Sequence, residues 1–292
     1  VRGLTPGRIL RSFQSRNQNK QFTAGSRQPL PYLLIALIIF VLSVVMVMSG
    51  RGGGNFYVLA LVLAGVPMHQ ASTTSQFILL ASALSGALVF GKARTMSWPL
   101  VLLFGILNSS MAFAGGFEAY RFTGKGLKIM LSVLLGIAGV VMLFPETEVR
   151  RTASSRFGYW NIQQGEAAYV VNLWTAVPLT LATGFFSGMV GISGGSFLIP
   201  LMVVGCGVPM RIAVGTATAM LAATAFAGFL GNTLHGGLNP ALAFSCGAAA
   251  VVGGWLGGKA ALKTKPKHLK TISGLLTIVA AAFMMANALS GK

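Results

Sequence analysis

Apolar runs long enough to cross a lipid bilayer make up most of this chain, with short polar joints between them; residues 32–48 and 127–144 are two examples. About twenty consecutive apolar residues span the hydrocarbon core of a membrane. Composition agrees. Of the 292 residues, 54 % are hydrophobic and 9 % are charged, and the mean hydropathy is +0.74, whereas a soluble domain carries about a quarter of its residues as charges. The expected fold class is an all-α membrane protein that crosses the cell inner membrane several times.

Charge narrows the function classes. Twenty-two Lys and Arg face four acids, Glu118, Glu146, Glu148 and Glu166, for a net charge of +18, and Asp is absent. The basic residues lie in the N-terminal arm and in the joints between apolar runs, where anionic lipid attracts them. Membrane lipid is therefore the expected partner, and nucleic acid is not, because no soluble domain is present to carry it. No carboxylate pair, metal cluster or Ser-His-Asp set occurs, so no enzyme, cofactor or metal site is expected. Cys206 and Cys246 are isolated within apolar runs and define neither a disulfide framework nor a CxxC site.

Residues 1–28 form a basic juxtamembrane arm, 29–144 a first transmembrane unit, 145–168 a polar central loop and 169–289 a second transmembrane unit. The arm has the Arg content and lack of acids of an organelle transit peptide; a disordered tail is the simpler reading. Apolar segments fall at 30–49, 55–66, 70–90, 97–115 and 126–144, then at 169–190, 196–206, 211–234, 239–258 and 269–289. Two of them, 55–66 and 196–206, are short. At 1.5 Å per residue a dozen residues reach about 18 Å, roughly half a bilayer. Each begins at a glycine cluster and ends at a Val-Pro-Met, as expected of half-helices in a broken or re-entrant element. Such backbone is tolerated at membrane depth only where protein or a water-filled cavity surrounds it.

The two short segments correspond. Gly50-Arg-Gly-Gly-Gly-Asn-Phe56 aligns with Gly191-Ile-Ser-Gly-Gly-Ser-Phe197, 141 residues later. After a one-residue insertion near Cys206, Gly65-Val-Pro-Met68 aligns with Gly207-Val-Pro-Met210, and Ala71, Thr74 and Gly86 align with Ala213, Thr216 and Gly228. Gly115-Gly116 pairs with Gly257-Gly258 at the same 142-residue offset. The chain is thus expected to hold two homologous helical repeats of four or five helices each. Duplication with interrupted helices at matching positions is the sequence pointer to a transporter site.

A glycine cluster, a short apolar stretch, a Pro-containing turn and then Ala-x-x-Thr, once per half, resembles the TauE/SafE sulfite exporter family (DUF81-type), also called the toluene-sulfonate uptake permeases. Gly191-Ile-Ser-Gly-Gly-Ser-Phe-Leu-Ile-Pro200 with Ala213-Val-Gly-Thr216 is the nearer match; the first copy has Leu59 in place of Pro200 and Arg51 in place of Ile192. The resemblance covers nearly everything after residue 30. It implies a permease for sulfite, an organosulfonate, sulfoacetate or a related anion.

The expected substrate-binding residues are Arg51, Gly53, Gly54, Asn55, Thr74, Ser193, Gly194, Gly195, Ser196 and Thr216. A helix that starts inside the membrane exposes unpaired N–H groups and the positive end of its dipole, which suits an anion. Small residues that only let helices pack closely are the alternative. Ser72-Thr-Thr-Ser-Gln76 and Thr216-Ala-Thr218 offer hydroxyl and amide donors, or bond back to their own helices. Arg51 stands inside the first cluster, where a charge is costly and by default functional, unless it snorkels to the surface. His69 and Arg211 occupy equivalent places after the Pro-Met pairs and read as gating groups or interfacial cations. Asn108 lies mid-segment, either on the path or as interhelical glue. Glu118 is the candidate for coupling to protons. A non-transporting membrane scaffold is the competing function, although a scaffold has no need of glycine-lined half-helices. The placement of Lys and Arg does not decide the orientation: re-entrant short segments give parallel halves, and crossing ones give inverted halves.

Overall fold

The computed structural model describes residues 32–143, 158–164, 167–234 and 238–263, together with residues 278, 279, 281, 282, 285 and 286. The basic arm, residues 144–157 with Glu146 and Glu148, Glu166, and most of the expected segment 269–289 lie outside the described residues. The elements in order are α1 (Tyr32–Met48), α2 (Gly54–Leu63), α3 (Met68–Lys92), α4 (Trp98–Glu118) with a 3-10 turn at Ala119–Arg121, and α5 (Gly124–Leu143). After these come β1 (Tyr159–Gln164), β2 (Ala167–Asn172), α6 (Leu173–Val190), α7 (Gly195–Pro200) with a π-helical turn at Leu201–Gly205, α8 (Met210–Thr233) and α9 (Pro240–Ala261). Five of the described helices, α3, α4 with its 3-10 turn, α6, α8 and α9, are long and apolar enough to cross a membrane. The fold is that of an all-α membrane protein with one small hairpin.

Local chemistry places the helix ends. Pro67 and Pro209 stand directly before α3 and α8, each after a positive-φ glycine, Gly65 or Gly207. Proline at these points ends the incoming chain and presets the outgoing turn. Pro99 and Pro240 sit in the first turns of α4 and α9, where no helix partner is lost. Asn172 and Asn239 cap α6 and α9, their Oδ1 atoms accepting from the amides of Trp174 and Leu242 at 3.1 and 3.2 Å.

Two expected boundaries change. Residues 159–164 of the expected central loop pair with 167–172 as an antiparallel hairpin, Tyr159 opposite Asn172 and Gln164 opposite Ala167. The segment expected as apolar helix from 169 therefore begins as strand, and α6 starts only at Leu173. Tyr169-Val-Val171 is an aromatic and β-branched run that favours the pleated state, and the Asn172 cap ends it. The hairpin is anchored where Tyr169 donates to Ser97 Oγ at 2.6 Å. Burial pushes that phenol above its ordinary pKa, so it stays a donor.

The exterior is apolar and the interior holds the small and polar groups, as lipid requires. Leu33, Leu88, Ile106, Trp174 and Phe244 are each more than half exposed, while Ser72, Thr74, Gln76, Asn108, Thr180, Thr216 and Thr224 are buried. At the centre α3 packs against α8. Gly86 lies against Thr218 and Gly228 against Gln76, so the two helices run antiparallel. Around this pair the packing is reciprocal: α4 lies on α6 and α8, and α9 lies on α1 and α3. Each of these seams is closed by a glycine against backbone, Gly115 on the Phe185 carbonyl and Gly257 on the Val44 carbonyl. Lipid tails are as apolar as leucine, so this close packing, not hydrophobic burial, holds the helices together.

Candidate substrate site between the glycine clusters

The two glycine clusters meet in the interior. A left-handed turn is needed to fold each half-helix back into the bundle, and glycine supplies it: Gly53, at the start of α2, has φ 95°, and Gly191, at the end of α6, has φ 79°. These are conformations that other residues adopt only at a cost. The half-helices begin at Gly54 and Gly195, one residue before the expected starts. A Cβ on Gly54 would lie 2.8 Å from the Ser193 amide nitrogen, and one on Gly195 would lie 2.8 Å from the Cα and carbonyl oxygen of Arg51. Each cluster therefore presses its glycine onto the backbone of the other. Asn55 Oδ1 locks the junction by accepting from Ser193 N at 2.9 Å and Ser193 Oγ at 3.4 Å. The Asn55 carboxamide oxygen is thus an acceptor for the opposite cluster.

Arg51, Gly53, Gly54, Asn55, Ser193, Gly194 and Gly195 are all buried here. Arg51 is 2 % exposed, which excludes snorkelling, and among the described residues it is the only buried charged side chain. Ser196 is the second residue of α7, and its side chain lies outside the described residues. Thr74 is fully buried on α3, and its hydroxyl has no hydrogen-bond partner among the described residues. Thr216 is tied elsewhere, its Oγ1 accepting from Ser97 N at 2.9 Å, which joins the start of α8 to the start of α4.

Most of the polar run on α3 is structural. Ser72, Ser75 and Gln76 donate to the carbonyls of Met189, Gly191 and Ser187 at 3.5, 2.9 and 2.8 Å. They satisfy carbonyl groups at the end of α6, which its own helix leaves short of partners. Thr218 bonds back to Val214 O at 2.8 Å. The residues after the paired Pro-Met turns make local contacts: His69 lies tilted against Tyr120 with centroids 5.3 Å apart, and Arg211 donates to Leu262 O at 2.8 Å. Glu118 forms an ion pair with Arg121 at 3.0 Å. Asn108 joins helices, donating from Nδ2 to Thr224 Oγ1 at 2.6 Å and accepting from Thr183 Oγ1 at 3.4 Å.

Residues 35–284 match the family model described as Sulfite exporter TauE/SafE. The chain belongs to this family. Its curated relatives carry transporter names. "Probable membrane transporter protein YunE" of Bacillus subtilis is 23 % identical, with 85 % of this chain and 94 % of that protein covered. A "Probable membrane transporter protein" of Xylella fastidiosa is 23 % identical over 80 % of this chain and 87 % of its own length. Another from Methanocaldococcus jannaschii is 22 % identical over 86 % and 94 %. No solved structure matches the chain. As a TauE/SafE permease the chain is a multi-pass membrane transporter, and the buried junction of the glycine clusters is its candidate substrate site.

Three residues with a claim on this site carried no signal in the motifs: Thr180, Thr183 and Thr224. Thr180, Thr183 and Ser187 lie at i, i+3 and i+7 on α6. A polar stripe of that spacing in a membrane span is unusual enough to have marked them.

Proposed function

We propose that this permease is a secondary transporter of a small oxyanion, of the sulfite or organosulfonate type, in the cell inner membrane. The observation that carries the reading is Arg51, a guanidinium buried where the two glycine clusters meet. A guanidinium keeps its charge at any physiological pH. In a low-dielectric interior it therefore holds a positive potential that attracts anions and repels cations. Hydroxyl and amide donors suit oxygens that share a charge.

The movement we infer is alternating access between two inverted halves. Three sets of contacts exchange under the 141–142 residue offset and support it. Gly86 with Thr218 mirrors Gly228 with Gln76, Gly54 with Ile192 mirrors Gly195 with Arg51, and Gly115 with Phe185 mirrors Gly257 with Val44. Equivalent helices that pack antiparallel imply a two-fold axis in the membrane plane, the plan of inverted-repeat transporters with a midplane site.

Purified protein in liposomes is expected to take up labelled sulfite or methanesulfonate saturably, and cations are expected not to compete. Arg51→Gln should raise KM at least tenfold, with Arg51→Lys intermediate. Saturable uptake of a cation, unaffected by sulfonates, would refute the anion reading.

A further inference from the structure

The two glycine clusters occupy equivalent places, but their surroundings differ. In the first half the space beside the glycine is filled. A Cβ on Gly53 would lie 2.7 Å from the ring and hydroxyl of Tyr57, four residues on. Tyr57 is fully buried, and its hydroxyl is held by Ser43 Oγ at 2.8 Å and Ser82 Oγ at 3.4 Å. In the second half the residue four after Gly194 is Leu198. A Cβ on Gly194 would meet nothing closer than Leu198 Cδ1 at 3.7 Å, with Asn108 Nδ2 and Thr183 Cβ at 3.9 Å. The region a phenol fills in one half is bordered in the other by an amide and a threonine.

The polar groups are unequal in the same sense. By the repeat offsets, the counterparts of Asn108, Thr180 and Thr183 are Ala250, Ile39 and Leu42. Donors stand at these three places only around the second cluster, Asn108 coming from the first half and Thr180 and Thr183 from the second. Thr183 Oγ1 bonds Asn108 Oδ1 at 3.4 Å and Thr180 O at 3.0 Å, and Asn108 Nδ2 uses one hydrogen on Thr224. The second Nδ2 hydrogen remains for another acceptor. Thr180 is fully buried, and its hydroxyl has no hydrogen-bond partner among the described residues. It shares a face of α6 with Thr183 and Ser187. The 192–194 segment runs back along that face, since Ser187 donates to Ile192 O at 2.5 Å and Thr183 borders Gly194. Thr180, one turn further along, therefore faces the stretch toward Leu198. A buried hydroxyl left without a partner costs free energy that a ligand oxygen would recover.

We propose that Asn108, Thr180 and Thr183, beside Gly194, form the single oxyanion seat of this molecule, and that Tyr57 permanently occupies the equivalent space in the other half. The ligand class is a sulfite or sulfonate group, whose oxygens accept from the two threonine hydroxyls and the Asn108 amide. The inference rests on the anion-transport reading and assigns that activity to one cluster. One anion then moves per conformational cycle, although the helices are duplicated.

The test is methanesulfonate uptake in liposomes by Thr180→Val, Leu198→Tyr and Tyr57→Phe proteins, with thermal unfolding measured for each. Thr180→Val is close to isosteric; it should unfold as the wild type does and raise KM about tenfold, the effect of one hydrogen bond to a charged group. Leu198→Tyr copies the filled half and should abolish uptake. Tyr57→Phe should keep wild-type KM, because its ring still fills the space. Wild-type KM for Thr180→Val would overturn the seat, whether or not Leu198→Tyr folds. A wild-type protein that takes up neither methanesulfonate nor sulfite would overturn the anion reading itself, and the ligand assigned here with it.

Discussion

Glycines with the same spacing in the two clusters do different work. Gly54 and Gly195 touch backbone across the junction, whereas Gly194 has room for a Cβ, its nearest neighbour being 3.7 Å away. Gly54→Ala is therefore expected to force the junction apart and cost about 1–3 kcal/mol, the usual penalty of overpacking. Gly194→Ala should leave unfolding within about 0.5 kcal/mol of wild type. Melting temperatures of the two purified proteins in one detergent check this, and equal losses would contradict it. A bulky residue at Gly54 is accordingly a poor probe of binding, because it disturbs packing first. Gly194→Leu is the cleaner probe, since its side chain enters the space beside Asn108 and Thr183 without meeting backbone.

Among the elements, the seams of α4 and α9 are closed by glycines set against backbone, of which Gly115 and Gly257 are an equivalent pair. Gly115 meets the Phe185 carbonyl and Gly257 the Val44 carbonyl so closely that any side chain must separate the helices. Gly115→Val and Gly257→Val should each destabilise the fold by about 2 kcal/mol or more through lost packing. Measuring both by denaturation gives the comparison that matters. Similar losses are expected if the seams are equivalent, and a neutral effect at either would show that its seam opens freely. The same scale explains what the half-helices are. α2 runs unbroken to Leu63, but α7 passes at Pro200 into a π-helical turn, because proline lacks the N–H that an α-helical bond needs.

The antiparallel crossing of α3 and α8 makes a topological prediction for the whole molecule. His69 and Arg211 begin the two helices and are equivalent in the repeat, yet they lie at opposite ends of the bundle. In a background without Cys206 and Cys246, single cysteines at 69 and 211 should react with an impermeant thiol reagent from opposite sides of the membrane. Labelling from one side would mean parallel halves. The hairpin lies at the α8-starting end, where Tyr169 reaches Ser97 beside the Thr216 contact.

Much of the architecture was legible in the residues themselves. Apolar runs defined the membrane-spanning helices, because lipid leaves the backbone no partner but itself. The glycine clusters marked the starts of both half-helices to within a residue, because φ above zero is a local requirement, while the helices end earlier than expected, at Leu63 and Pro200. The strand character of 169–172 was not legible, since an apolar run of that length fits helix or strand until a partner such as Trp160-Asn-Ile162 pairs with it. The site was legible only as composition. Which of its polar groups are engaged depends on contacts across more than a hundred residues. The Asn55 oxygen accepts from Ser193 and the Thr216 oxygen from Ser97, Gln76 donates to Ser187, and the Thr180 hydroxyl has no partner among the described residues. Sequence alone determined the solvent and the elements, each of which follows from short-range chemistry. Tertiary structure alone decided which half keeps an open polar space, because that depends on whether a phenol or a leucine lies beside the glycine and on what the facing helices bring to it.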